Sequence, residues 1–201
     1  LGREEILERR CSRNPGMPIR FLFVGQLLRR KGLHYALRAF AKLLPGYLGQ
    51  FRFDLVGDGP FREDLERQTQ ELGLARHVRF HGRQPYSTLW EWYLKADVFL
   101  FPTLSDYRAL APFEALSVGL PIVASVHDGG VGETVHEGHN GFSFDPMDTE
   151  ALHKILARFL DSPALIPRFA KKSLEMASAY TLDRGTDSLT HACQKALDSR
   201  H

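Results

Sequence analysis

The chain has 201 residues, with 26 Lys+Arg against 24 Asp+Glu, a formal net charge of +2, and 43% hydrophobic residues. That length buries one sizeable core, and the scattered basic residues exclude a nucleic-acid-binding stripe. Cys11 and Cys193, at opposite ends of the chain, exclude a disulfide framework and a cysteine metal site and point to a reducing, cytoplasmic compartment. Residues 1–14 alternate charged and apolar side chains, which predicts neither a signal peptide nor a membrane anchor.

Ile19-Arg20-Phe21-Leu22-Phe23-Val24-Gly25 is a nearly continuous apolar run ending in Gly, the pattern of a strand buried on both faces of a parallel sheet. Leu33, Leu37, Phe40, Leu43 and Leu44 then recur at helical spacing, and Pro45-Gly46 is predicted to stop that helix before a strand over 51–57. The alternation continues with a helix over 61–72, a strand over 78–81, a helix over 89–94 and a strand over 98–101. A short helix over 113–118, strands over 121–125 and 141–144, and helices at 152–159, 165–178 and 182–197 complete the chain. Strands alternating with helices predict an α/β fold: a doubly wound parallel sheet of about six strands, helices on both faces, and C-terminal helices. No repeat or long flexible linker divides it.

In such a sheet the ligand lies beyond the carboxyl ends of the strands, so the loops there carry the candidate chemistry. The first, 25–32, holds Gly25, Gln26, Arg30 and Lys31, with a helix opening just beyond; backbone N–H groups and cations there suit a phosphate, although a solvated basic turn has the same composition. The second, Gly57-Asp58-Gly59-Pro60, permits close ligand approach or is simply a tight turn. The third, 102–121, brackets a helix start with Asp106 and Glu114, acids suited to paired sugar or ribose hydroxyls and equally suited to capping. The fourth, from His127 to Glu133, has three glycines within four residues, a candidate anion-binding backbone or a flexible turn. His136 and His139 have no third ligand nearby, so no metal site is expected, and Trp90 and Trp92 read as helix packing and surface.

In order, the segments V-G-Q-L-L-R-R-K-G, L-V-G-D-G-P-F-R-E-D-L, V-R-F-H-G-R, P-T-L-S-D-Y-R-A-L-A-P-F-E-A-L-S-V-G-L-P-I-V-A-S and D-G-G-V-G-E-T-V-H-E-G-H-N-G-F-S-F-D-P resemble the C-terminal, donor-binding domain of the family-four retaining glycosyltransferases, which have the two-domain GT-B architecture. The resemblance covers nearly the whole chain and implies a Rossmann-like domain over 18–179, an interdomain connection over 1–17 and a C-terminal crossover helix over 180–201.

It further implies that Lys31 neutralises the diphosphate of a UDP or GDP sugar, that Glu114 binds the ribose and that Asp106 faces the donor sugar. By the same likeness Gly25, Gln26, Arg30, Gly57, Asp58 and Gly59 line the donor, with Gly129 and Gly130 close to its phosphates or sugar, while the 79–82 segment, with His81 and Gly82, borders the base through backbone groups. No metal or other cofactor is implied. The partner is an N-terminal GT-B domain, in the same or a separate chain, without which this half is inactive and through which it touches the inner face of a membrane. The implied chemistry is retaining transfer to an acceptor hydroxyl, with cations stabilising the leaving diphosphate.

Two departures bear on this. Gln26 stands where the family has a phosphate-binding Arg, and Asp106-Tyr107-Arg108-Ala109 replaces the family's Glu-Gly-Phe-Gly segment, with Arg108 free to pair with Asp106 or contact the donor, and Ala109 and Leu110 beside it as donor-binding candidates. They favour an alternative reading, a non-catalytic sugar-nucleotide-binding or regulatory module.

Overall fold

The computed structural model describes residues 2–12, 14 and 16–180; the crossover helix predicted over 180–201 lies outside them, Tyr180 excepted. Six strands, β1 (Ile19–Val24), β2 (Phe51–Val56), β3 (Val78–Phe80), β4 (Val98–Phe101), β5 (Ile122–Ser125) and β6 (Gly141–Phe144), form one parallel sheet in the order β3-β2-β1-β4-β5-β6. This is the predicted Rossmann-like α/β fold. The order reverses between β1 and β4, and that switch point opens a crevice at the carboxyl ends of the strands.

The helices are α1 (Arg3–Cys11), α2 (Leu33–Ala41), α3 (Leu44–Tyr47), α4 (Arg62–Glu71), α5 (Tyr86–Lys95), α6 (Leu110–Ser117), α7 (Val131–Thr134), α8 (Thr149–Asp161) and α9 (Leu165–Ala177), with a 3-10 turn at Arg29–Lys31. Helices α2, α4 and α8 pack together on one face of the sheet; α1, α6 and α9 pack together with α5 on the other. Odd positions of β1 and β2 send Phe21, Phe23, Phe51 and Phe53 into the core, where Phe40 of α2 stacks on Phe53 at 4.6 Å and on Phe51 at 5.5 Å. Strands β1 and β2 pair along their whole length, from Ile19↔Phe51 to Val24↔Val56, because equal six-residue apolar runs leave no better register.

Some boundaries move for local reasons. Pro45 does not end helical structure but sits in the first turn of the short α3, where its missing N–H costs no bond. Helix α5 starts at Tyr86 after an extended Pro85, and α6 starts at Leu110, three residues before its predicted start, since Pro112 is tolerated in a first turn. Asp148 caps α8, its carboxylate accepting from the N–H groups of Glu150 at 3.0 Å and Ala151 at 2.9 Å.

Within the segment predicted as a connection, α1 is docked on the domain. Ile6 packs with Leu94 and Leu174, and the buried Arg10 guanidinium donates to the carbonyls of Tyr93 at 2.9 Å, Val118 at 3.1 Å, Leu94 and Ala96. Burial pulls that guanidinium down to about 10, against the opposing field of Asp97.

Candidate active site

The loop after β1 and the loop after β4 meet at the switch point, and backbone contacts hold them there. Leu104 N donates to Arg30 O at 2.7 Å, and Thr103, fully buried, puts its Oγ1 3.2 Å from the same carbonyl. Lys31 Nζ hydrogen-bonds Asp106 Oδ2 and lies 4.8 Å from the centre of the Phe101 ring, while Arg30 Nη1 reaches Asp106 Oδ2 at 3.0 Å. Burial raises the Asp106 carboxyl, but Lys31 and Arg30 outweigh it and hold the group below its ordinary value. Two predicted phosphate cations and the first predicted acid therefore form one cluster.

The glycine loop closes over that cluster. The backbones of Asp106 and Asp128 bridge, and Gly129 N donates to Asp106 O at 3.0 Å. A Cβ on Gly129 would stand 1.9 Å from Tyr107 O, and one on Gly57 1.9 Å from Gly25 O, where φ is also +137°. These glycines let neighbouring loops pack against each other. Gly57 N donates to Gly82 O at 2.9 Å, extending the same kind of backbone contact to the loop after β3.

Asp128 is the residue that sequence reasoning missed. It is 1% exposed, and its Oδ1 accepts from Ala109 N at 3.2 Å and Gly130 N at 3.4 Å, which ties the start of α6 to the glycine loop. Its Oδ2 is buried with no hydrogen-bond partner, and burial, reinforced by the charge of Asp106, holds this carboxyl above its ordinary value. The only sequence signal was an Asp ahead of a glycine turn, which reads as local turn chemistry.

Gly25, Gln26, Gly57 and Asp58 line a cavity of about 410 Å³ with Arg83 and Leu89. Asp58 caps its own turn through Gly59 N at 2.8 Å and pairs with Arg62 at 3.1 Å. Glu114, in the second turn of α6, faces a neighbouring cavity of about 340 Å³, with Tyr86, Leu89, Trp90 and Tyr93; Leu89 is the wall common to both. Tyr93 OH donates to Glu114 Oε2 at 2.6 Å, and burial together with that carboxylate drives the phenol far above its ordinary range. Lys31 lines neither cavity, so the two acids eight positions apart meet different partners.

Arg108 does not pair with Asp106. Its guanidinium makes a two-point pair with Glu133 at 2.7 and 2.8 Å and lies 4.3 Å over the Phe113 ring, a geometry that a planar fork prefers to one shared carboxylate oxygen. The His81 ring turns away from the crevice onto Asp54 Oδ1, 2.6 Å away, and Trp92, leaving its backbone and Gly82 at the loop. Leu110 is exposed at the head of α6. Among the described residues no group of three or more His, Cys, Asp or Glu side chains converges to hold a metal, and no helix is long and apolar enough to cross a membrane.

Residues 5–176 match the family described as glycosyl transferases group 1. The chain is 30% identical over 185 residues to a D-inositol 3-phosphate glycosyltransferase of Streptomyces griseus, covering 88% of this chain and 39% of that protein. Among solved structures it resembles sucrose-phosphate synthase from Thermosynechococcus elongatus, with a TM-score of 0.78, 25% identity and coverage of 98% of this chain and 49% of that one. An Anabaena protein, HepE, solved with UDP, shares the fold with a TM-score of 0.75 at 22% identity, covering 99% of this chain and 54% of that one. The chain thus spans between about two fifths and just over half of the length of these three proteins. With the switch-point crevice, the parallel sheet and this match in place, the chain belongs to the group 1 glycosyltransferases of GT-B architecture, as their C-terminal domain.

Proposed function

We propose that the chain is the donor-binding half of a retaining glycosyltransferase that moves a sugar from a nucleoside diphosphate sugar to an acceptor hydroxyl. The observation that carries this reading is the meeting of Lys31 and Arg30 with Asp106 at the β1/β4 switch point. Cations beside a diphosphate stabilise it as it leaves, and an acid beside them accepts from donor-sugar hydroxyls. In this reading Lys31 exchanges Asp106 for phosphate, Gly129 and Gly130 border the donor, and Glu114 exchanges Tyr93 for the ribose. The cavity at Gly25, Gln26, Gly57 and Asp58 takes the nucleoside, with the backbone at His81 and Gly82 along its edge. No metal is required, and the acceptor comes with an N-terminal domain, so this half alone binds without turnover. The reading includes a cytoplasmic setting, with any membrane contact made through the other half.

HepE was solved with UDP, which makes UDP the first ligand to try. Calorimetry with UDP, GDP and ADP tests the assignment: one of them binds and Lys31→Ala weakens it, whereas no binding at millimolar concentration overturns it.

A second reading, a non-catalytic sugar-nucleotide-binding module, is favoured by Gln26 at the family's Arg position and by the engagement of both crevice cations with Asp106. Radiolabelled sugar transfer after addition of an N-terminal half separates the two, since a module of this kind binds without transferring.

A further inference from the structure

Strands buried on both faces of a parallel sheet carry apolar side chains on both. Strands β1 and β2 break that rule on the face opposite the phenylalanines. Arg20 pairs in register with Arg52, and Leu22 with Asp54, so two arginines and an acid project from adjacent strands ahead of their carboxyl ends. With His81, Trp92 and Lys95 they line a cavity of about 400 Å³, within the size range of small-molecule sites. The crevice cavity begins two register positions later on the same strands, at Val24 and Val56.

The charges in this cavity do not cancel. Asp54, 7% exposed, is occupied on one oxygen by Arg52 Nε at 3.1 Å and His81 Nε2 at 2.6 Å. Asp97 takes the Arg20 backbone N–H at 2.8 Å and is offset by the neighbouring Arg10. Lys95 shares its charge with the exposed Glu91 at 3.1 Å. Arg20 makes no ion pair among the described residues, and Arg52 spends only its Nε on Asp54, so both present further N–H donors. Three cations from β1, β2 and α5 stand against Asp54 inside the cavity and the exposed Glu91 at its rim, an excess of positive charge that suits an anion, and guanidinium forks match tetrahedral oxygens.

We propose that this cavity binds the phosphate group of a small molecule at a site separate from the donor crevice. The Trp92 ring, packed on His81 at 4.1 Å, forms one wall against which the rest of the ligand lies. Charged side chains on a sheet face break local folding rules, and such breaks mark function.

Nitrogen-15 NMR of the chain titrated with inorganic phosphate, against potassium chloride at matched ionic strength, tests this. Saturable shifts are expected at the Arg20 and Arg52 side chains and the Trp92 indole N–H. Arg20→Ala weakens the binding about tenfold or more, from the loss of charged hydrogen bonds, while Lys31→Ala leaves it unchanged. Arg52→Gln gives a second reading if Arg20→Ala fails to fold. Shifts confined to the amides of Gly25, Gly57 and Gly129, binding that survives in a folded Arg20→Ala chain, or no saturable shift overturns the proposal. The donor assignment stands or falls separately, on the calorimetry of nucleoside diphosphates.

Discussion

The two faces of the sheet solve the same burial problem by different chemistry. On the α2/α4/α8 face, phenylalanines from β1, β2 and α2 fill the space, and Phe21 meets Phe40 edge-on at 5.3 Å with Phe159 of α8 beyond it at 6.5 Å. On the opposite face α5 leaves part of β1 and β2 to Arg20, Arg52 and Asp54, and α1 is fastened through Arg10 to the carbonyls around Leu94 and Val118. Apolar packing tolerates no gap, whereas a charged surface tolerates solvent and ligands. The difference separates a face that supports the fold from one that is open to binding.

The comparison breaks most readily at its apolar end. Phe53→Ala should destabilise the chain by about 3–5 kcal/mol, because its fully buried ring leaves a cavity against Phe40; urea unfolding measures this, and a loss below about 1 kcal/mol would contradict a packed face. Arg10→Ala comes next, at about 2–3 kcal/mol in the same assay, since buried carbonyls lose their donor. Lys31→Ala should lower nucleoside diphosphate affinity about tenfold, the scale of one charged hydrogen bond, with little change in unfolding midpoint. At the small end, Arg52→Gln on the charged face should cost about 1 kcal/mol, since Asp54 loses one charged partner and keeps His81, in contrast to the phenylalanines beside it.

The two crevice acids sharpen the picture with pH. Asp106 is held low, so its stabilisation is present above the ordinary carboxylate range and is lost as pH falls through its folded value. Asp128 is held high, so its contribution is greatest below its unfolded value and declines as pH rises through the folded one. Asp106→Asn should therefore flatten the acid limb of a stability-pH profile, and Asp128→Asn should remove a loss on the approach to neutrality. Parallel effects from the two substitutions would contradict the opposite environments assigned to them.

Much of this was legible in the chain itself. The apolar run of 19–25 and the helical spacing of Leu33, Leu37 and Phe40 are local signals, and each became the predicted element. Lys31 and Asp106 were both picked out as candidates, and the fold brings them together from positions 75 residues apart. Asp128 escaped notice because nothing in its neighbours reveals that it will be buried against the amide of Ala109, and α6 began early because a proline in a first turn imposes no boundary.

Periodicity and turn residues by themselves determined the order of strands and helices, the parallel sheet and the loops that hold the chemistry, since those depend on interactions between near neighbours in sequence. Only the tertiary structure decided that Glu114 meets Tyr93, that Arg108 meets Glu133, that His81 turns beneath the sheet, and that Gly57 and Gly129 serve loop-to-loop packing. Partners of that kind are chosen by distance in space, and that distance exists only once the sheet has set the loops side by side.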